Sequence, residues 1–86
     1  MTTLNDMKPN YICKVIRIEA SNILKRRLYD MGITPDVNIF FRKEAPFKDP
    51  IEIGLRGYIL SLRREEAKTI IVEFVSEYKK VSEAKK

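Results

Sequence analysis

No histidine occurs in the chain, and Cys13 is its one cysteine. Without an imidazole, nucleophile–histidine catalysis is excluded. With a single thiol as well, a structural zinc site or a soft transition-metal site is excluded in practice. A lone cysteine has no internal disulfide partner. The domain must therefore hold together by its core, and a reducing cytoplasm is the expected compartment. No apolar run approaches the ~20 residues of a membrane span. Met1–Pro9 lacks the apolar segment of a signal peptide, so none is expected. Glycine is scarce, at three residues, and no phosphate-cradling glycine motif is present, so hydrolysis of GTP by this chain is not expected.

What is there is one small domain's worth of sequence. The 86 residues are 44% apolar and 34% charged, an ordinary globular composition. The net charge of +5 comes from 17 basic and 12 acidic residues. Residues 76–86 contribute +2 of it through Lys79, Lys80, Lys85 and Lys86 against Glu77 and Glu83. The remaining excess is mild, short of the dense basic face of a dedicated nucleic-acid binder.

The best-defined element is Ser21–Asp36. Ser21 and Asn22 are N-cap types, and Leu24, Leu28 and Met31 form one apolar stripe at helical spacing. Gly32 stands at the position of a left-handed helix stop, Ile33 is placed to pack back on Leu28, and Pro35 keeps the helix from resuming. Before it, Leu4 and Met7 pin a lead-in, and Pro9-Asn10 turns the chain into a strand over Tyr11–Glu19. There Tyr11, Cys13 and Val15 alternate, then Ile16 and Ile18 follow the other parity. That switch predicts a bulge. Cys13 reads as a small buried hydrophobe.

After the helix, Val37, Ile39 and Phe41 alternate as a second strand, with Phe40 on its outer face. Lys43–Pro50 is a loop with two prolines; its Phe47 either folds back on the core or stands out as a contact point. Ile51, Ile53 and Leu55 form a third strand. Arg56-Gly57 makes a tight hairpin turn to a fourth, Tyr58, Leu60 and Leu62. Arg63–Lys68 is a short helical turn, and Ile70, Val72 and Phe74 line the inner face of a fifth strand. The expectation is mainly β, a small closed or nearly closed barrel of about five strands over residues 1–75. The basic tail, 76–86, is expected to fray.

In order along the chain stand Arg27-Leu28, Met31-Gly32-Ile33, Pro35, Ala45-Pro46, Asp49-Pro50, Arg56-Gly57, then Leu60-Ser61-Leu62-Arg63-Arg64 and Ala67. This ordered set, spread over about residues 4–75, resembles the FeoA family, small cytosolic proteins associated with the FeoB ferrous-iron transporter. It also looks like the C-terminal barrel of DtxR-type metal-dependent repressors. The resemblance implies an SH3-like β-barrel. The family usually has glycine where Asn10, Asp36 and Lys48 stand. Asn and Asp are the non-glycine residues that best tolerate left-handed backbone; Lys is less suited.

Ferrous iron would need oxygen ligands here. Glu44, Asp49 and Glu52 are the nearest candidates, but Asp49 precedes a proline as a turn former. Glu65 and Glu66 open the short helix, where the dipole favours them. No metal site, catalytic residue or cofactor is expected, so the protein is read as a non-enzymatic binding module. The contact candidates are Arg26, Arg27, Arg56, Arg63 and Arg64, with Lys25 beside them, since arginine pairs flat with carboxylates at interfaces. Pro46 and Phe47 offer an apolar anchor.

The resemblance supplies the partner, a FeoB-type membrane transporter bound at its cytoplasmic GTPase region or its membrane part. It implies regulation of ferrous iron uptake through the GTPase cycle or opening. Open barrel edges also allow self-association. The competing readings are a nucleic-acid barrel using Tyr11, Tyr29, Phe40, Phe47 and Tyr58, and a peptide-binding module by analogy of fold.

Overall fold

A computed structural model of the chain describes residues 1–79. Helix α1 is Asn22–Asp30. The Ser21 hydroxyl accepts the Leu24 N–H at 3.2 Å, which caps its start. At its end, Gly32 lies at φ +95°. The Gly32 N–H donates to Tyr29 O at 2.9 Å and the Ile33 N–H to Leu28 O at 3.0 Å, the paired bonds of a Schellman stop. Leu28 and Ile33 are fully buried, and Leu24 and Met31 are packed against the core. The inward stripe and the stop are those that the sequence predicts.

The strands are β1 (Tyr11–Ile18), β2 (Asn38–Glu44), β3 (Ile51–Leu55), β4 (Tyr58–Leu62) and β5 (Ile70–Glu77), with a short helix α2 (Arg64–Ala67) before β5. They form one sheet in the order β4-β3-β2-β1-β5, with every neighbouring pair antiparallel. Among the described residues no ladder joins β4 to β5, so the barrel is of the nearly closed kind. The chain start covers part of β5's free edge: the Val72 N–H donates to Thr2 O at 2.9 Å, and Thr3 bridges Ile71. Leu4 and Met7 are buried and anchor this lead-in.

The core is apolar throughout, with no polar or charged side chain buried among the described residues. Cys13, Val15, Ile18, Ile39, Phe41, Ile51, Ile53, Leu55, Leu62, Ile70 and Val72 supply it from the sheet. The expected bulge in β1 is present: Val15 pairs with Val72 and Arg17 with Ile71, leaving Ile16 as the extra residue. Its consequence differs from expectation. Ile18 returns to the core, but Ile16 is 39% exposed, because the extra residue sets Ile16 and Arg17 together on the outer face.

Two alternating strands run past the end of the core. On β5, Phe74 lies opposite Cys13, on the inward face, yet is half exposed and sets its ring edge-on to Tyr11 at 4.9 Å. On β4 only Leu62 is buried, and Tyr58 is 42% exposed. Strand β5 also continues two residues beyond Val75, and the Tyr78 N–H donates to Asn10 O at 2.7 Å. The Tyr78 ring meets Phe40 edge-on at 5.9 Å, which half-covers that outer-face aromatic. The rest of the expected tail, 80–86, lies outside the described residues.

All three positions where glycine is usual are left-handed: Asn10 at φ 76°, Asp36 at 75° and Lys48 at 71°. Asn10 and Asp36 play the same part. Each follows a proline in a four-residue turn closed by an N–H to C=O bond, Tyr11 to Lys8 (3.0 Å) and Val37 to Thr34 (3.2 Å). Lys48 ends a different turn, which lies in the candidate site.

Candidate interaction surface

The loop between β2 and β3 is a braced turn. The Lys48 N–H donates to Ala45 O at 2.7 Å, closing Ala45–Lys48 with Pro46 at its second position. The Ala45 N–H donates to Pro50 O at 3.0 Å and joins the two legs. Arg64, in the first position of α2, then ties the turn to the body. Its Nε donates to Lys48 O at 2.7 Å, its Nη2 to the Glu44 carboxylate at 2.5 Å, and its Nη1 to Asn5 O and Oδ1 at 3.3 Å. Its backbone N–H donates to Asp49 Oδ1 at 3.0 Å, and its guanidinium lies over the Phe41 ring at 5.8 Å. One planar fork thus holds β2, the loop and the chain start together. At the tip stands Phe47, 93% exposed, so of its two expected placements the outward one holds.

A second constellation closes the far end of α1. The two-residue hairpin Arg56-Gly57 has positive φ at both positions, 48° and 87°. Arg56 Nε donates to Gly32 O at 3.2 Å and its Nη2 to Thr34 Oγ1 at 3.0 Å. The Tyr58 hydroxyl donates to Met31 O. Tyr58 thus takes up the C-cap carbonyl that the helix end leaves free, and Arg56 holds the residues that follow it. A Cβ on Gly32 would collide with the Tyr58 hydroxyl, a second reason for glycine there.

The seven contact candidates therefore separate. Arg56 and Arg64 do not offer free guanidinium groups, because both are engaged within the fold. Arg27 pairs with Glu66 of α2 at 3.0 Å and remains largely exposed. Arg26 and Arg63 are exposed, with no ion pair among the described residues. Pro46 and Phe47 are exposed on the turn. Through Arg27–Glu66 and Arg64–Lys48, helix α1, helix α2 and the turn form one connected side of the molecule. Lys48, exposed next to Phe47, belongs to this side too, and Lys43 is exposed four residues before the ring. They are legible as the K-x-x-x-F-K spacing of the loop, although reasoning from arginine alone passes over them.

The acidic candidates of the loop and β3 are each engaged within the fold. Glu44 binds Arg64 and Glu52 pairs with Arg42, while Asp49 accepts the Arg64 N–H. Glu66 accepts the Arg63 N–H at 3.0 Å and so caps α2. Among the described residues no three His, Cys, Asp or Glu side chains gather as a metal site would require. Burial pushes the Cys13 thiol up to about 12, which leaves it protonated and unreactive at neutral pH.

The family model for the FeoA domain matches residues 2–74. The chain belongs to the FeoA family. A fusion protein of Porphyromonas gingivalis, named Fe(2+) transport protein A/Fe(2+) transporter FeoB, is 34% identical over 62 residues. That match takes in 72% of this chain but spans only 7% of the relative. The FeoA-like protein of Clostridium acetobutylicum is 41% identical, with a TM-score of 0.81 over 93% of this chain and 96% of that one. Two more distant structures speak to the fold alone. The zinc-complexed FeoA of Stenotrophomonas maltophilia, described as a prokaryotic SH3 domain protein, is 21% identical at TM-score 0.75, covering 85% of this chain and 91% of that one. Cd2+-bound ScaR is 22% identical at 0.76, with 85% of this chain and 35% of that one covered. The FeoA fold seen here is SH3-like, and a larger protein carries the same module as one part. No helix among the described residues is long and apolar enough to cross a membrane.

Proposed function

We propose that this FeoA-family protein serves ferrous iron transport as a non-enzymatic accessory subunit. In this reading it docks on the cytoplasmic region of a FeoB-type transporter and modulates its GTPase cycle or its opening. The observation that carries the proposal is the relative in which FeoA and FeoB share one polypeptide. Fusion keeps two modules at high effective concentration, which is useful where they act together. The surface available for docking fits. Arg27 and Arg63 lie on the connected side formed by α1, α2 and the turn, with Pro46 and Phe47 at its tip, while Arg26 is exposed on the face of α1 that carries Asn22, Tyr29 and Asp30. Nucleic-acid binding is less well served, because the aromatics do not form a stacking platform. Tyr11 pairs with Phe74, Phe40 with Tyr78, and Tyr58 caps α1.

The test is an NMR titration of the isotope-labelled protein with the purified cytoplasmic region of the cognate FeoB-type transporter, with and without guanine nucleotide. Shifts confined to one face are expected. If they depend on nucleotide, the protein acts on the GTPase cycle. Absence of binding both to this region and to the full transporter in nanodiscs would refute the proposal.

A further inference from the structure

The turn Ala45–Lys48 has properties that a structural loop does not need. Phe47 has the highest exposure of the large apolar side chains described, at 93%. Yet the backbone beneath it is held from several directions. The turn closes on itself through the Lys48 N–H and on Pro50 through the Ala45 N–H. Arg64 grips Lys48 O and Glu44, and its own N–H is accepted by Asp49. An exposed ring on mobile chain would lose much of its binding energy to ordering. On a braced turn that cost is already met. Rigid aromatic side chains in such a setting are the usual anchors of protein interfaces.

The charges around the ring are sorted. Both acidic groups of the loop are turned to internal use, Glu44 by the Arg64 guanidinium and Asp49 by the Arg64 N–H. Lys43 and Lys48 are exposed and make no ion pair among the described residues. The charge presented with the ring is net positive, with Lys43, Lys48 and Arg64 against Glu44 and Asp49. A bilayer surface is the weaker match, because one ring with two lysines gives neither the apolar area nor the second strong signal of a stable membrane anchor. A closed pocket, by contrast, covers a single ring completely.

We infer that Phe47 is the anchor by which this protein docks, entering an apolar pocket rimmed by carboxylates on the partner, with Lys43 and Lys48 pairing with the rim. This rests on the reading that the partner is the cytoplasmic region of a FeoB-type transporter. It names the residue that carries the contact and the chemistry of the surface that receives it.

The test measures affinity for that purified region by calorimetry with the wild type, Phe47→Ala, Phe47→Leu, and a Lys43→Gln, Lys48→Asn double variant. Asparagine is chosen at 48 because it tolerates the left-handed backbone there. Phe47→Ala should melt as the wild type does, since its ring packs on nothing, yet bind at least ~30-fold more weakly. Phe47→Leu should recover most of that loss. The lysine variant should bind several-fold more weakly at low salt, with a flattened salt dependence. If the wild type binds and Phe47→Ala binds equally well, the anchor is refuted while the docking proposal stands. If the wild type binds neither this region nor the full transporter, both fail. Binding to phosphatidylserine vesicles that Phe47→Ala abolishes, with transporter affinity unchanged, would assign the ring to the membrane and overturn the pocket.

Discussion

At the scale of single residues, Lys48 is the least expected feature. A lysine side chain in the left-handed region costs roughly 1 kcal/mol against glycine, because its Cβ crowds the following carbonyl. Asn10 and Asp36 adopt the same region in the two proline turns, where their short polar side chains suit it. Lys48→Gly should therefore stabilise the domain by up to roughly 0.5 kcal/mol, the relieved strain exceeding the entropy glycine adds to the unfolded chain. Asn10→Gly and Asp36→Gly should each move stability by no more than a few tenths of a kcal/mol. Urea unfolding of the three variants checks the ordering. A Lys48→Gly variant less stable than the wild type would show that its ammonium contributes to the fold. Retaining lysine at a strained position also agrees with the role given to it beside Phe47.

At the scale of elements, Arg64 is the joint between α2, the turn and the chain start. Its side chain is only 21% exposed, so its bonds are partly shielded from water. Arg64→Ala should cost about 2 kcal/mol in a urea melt, the range for hydrogen bonds to charged groups, and should raise amide mobility over residues 45–50 in NMR relaxation. Arg64→Lys should recover less than half, because an ammonium lacks the fork that reaches Glu44 and Lys48 at once. Unchanged relaxation in Arg64→Ala would mean the turn is held by its own two backbone bonds. Helix α1 was readable in full from the sequence, since cap, stripe and stop are all local signals at Ser21, Leu28 and Gly32. The bulge was readable from the phase change in β1, but not which isoleucine it turns out. Arg56 and Arg64 were readable as basic residues and not as braces. Their acceptors lie 24 residues away at Gly32 and 20 away at Glu44, and no local pattern reveals such a pairing.

At the scale of the whole molecule, the motifs that identify the family mostly build the barrel. Met31-Gly32 meets Arg56-Gly57-Tyr58 at one end, and Asp49 meets Arg64 at the other. The surface left for function thus lies between positions that the fold requires. The core those motifs enclose contains one titratable side chain among the described residues, Cys13. In the folded protein its thiol is pushed up from 9.0 to about 12 by burial. Between those values the unfolded chain has released the proton while the folded one keeps it. The unfolded state then binds fewer protons, so stability falls as pH rises, by at most about 1.4 kcal/mol per pH unit, and the contribution is complete below pH 9. The informative quantity is the difference from Cys13→Ala, which removes this group alone. That variant should start lower, by about 1 kcal/mol for the lost sulfur, and decline less steeply above pH 9. The two curves should therefore converge as alkalinity increases. Parallel curves would place the thiol in contact with water and require the β1–β5 ladder around Cys13 to open far more readily than its packing implies.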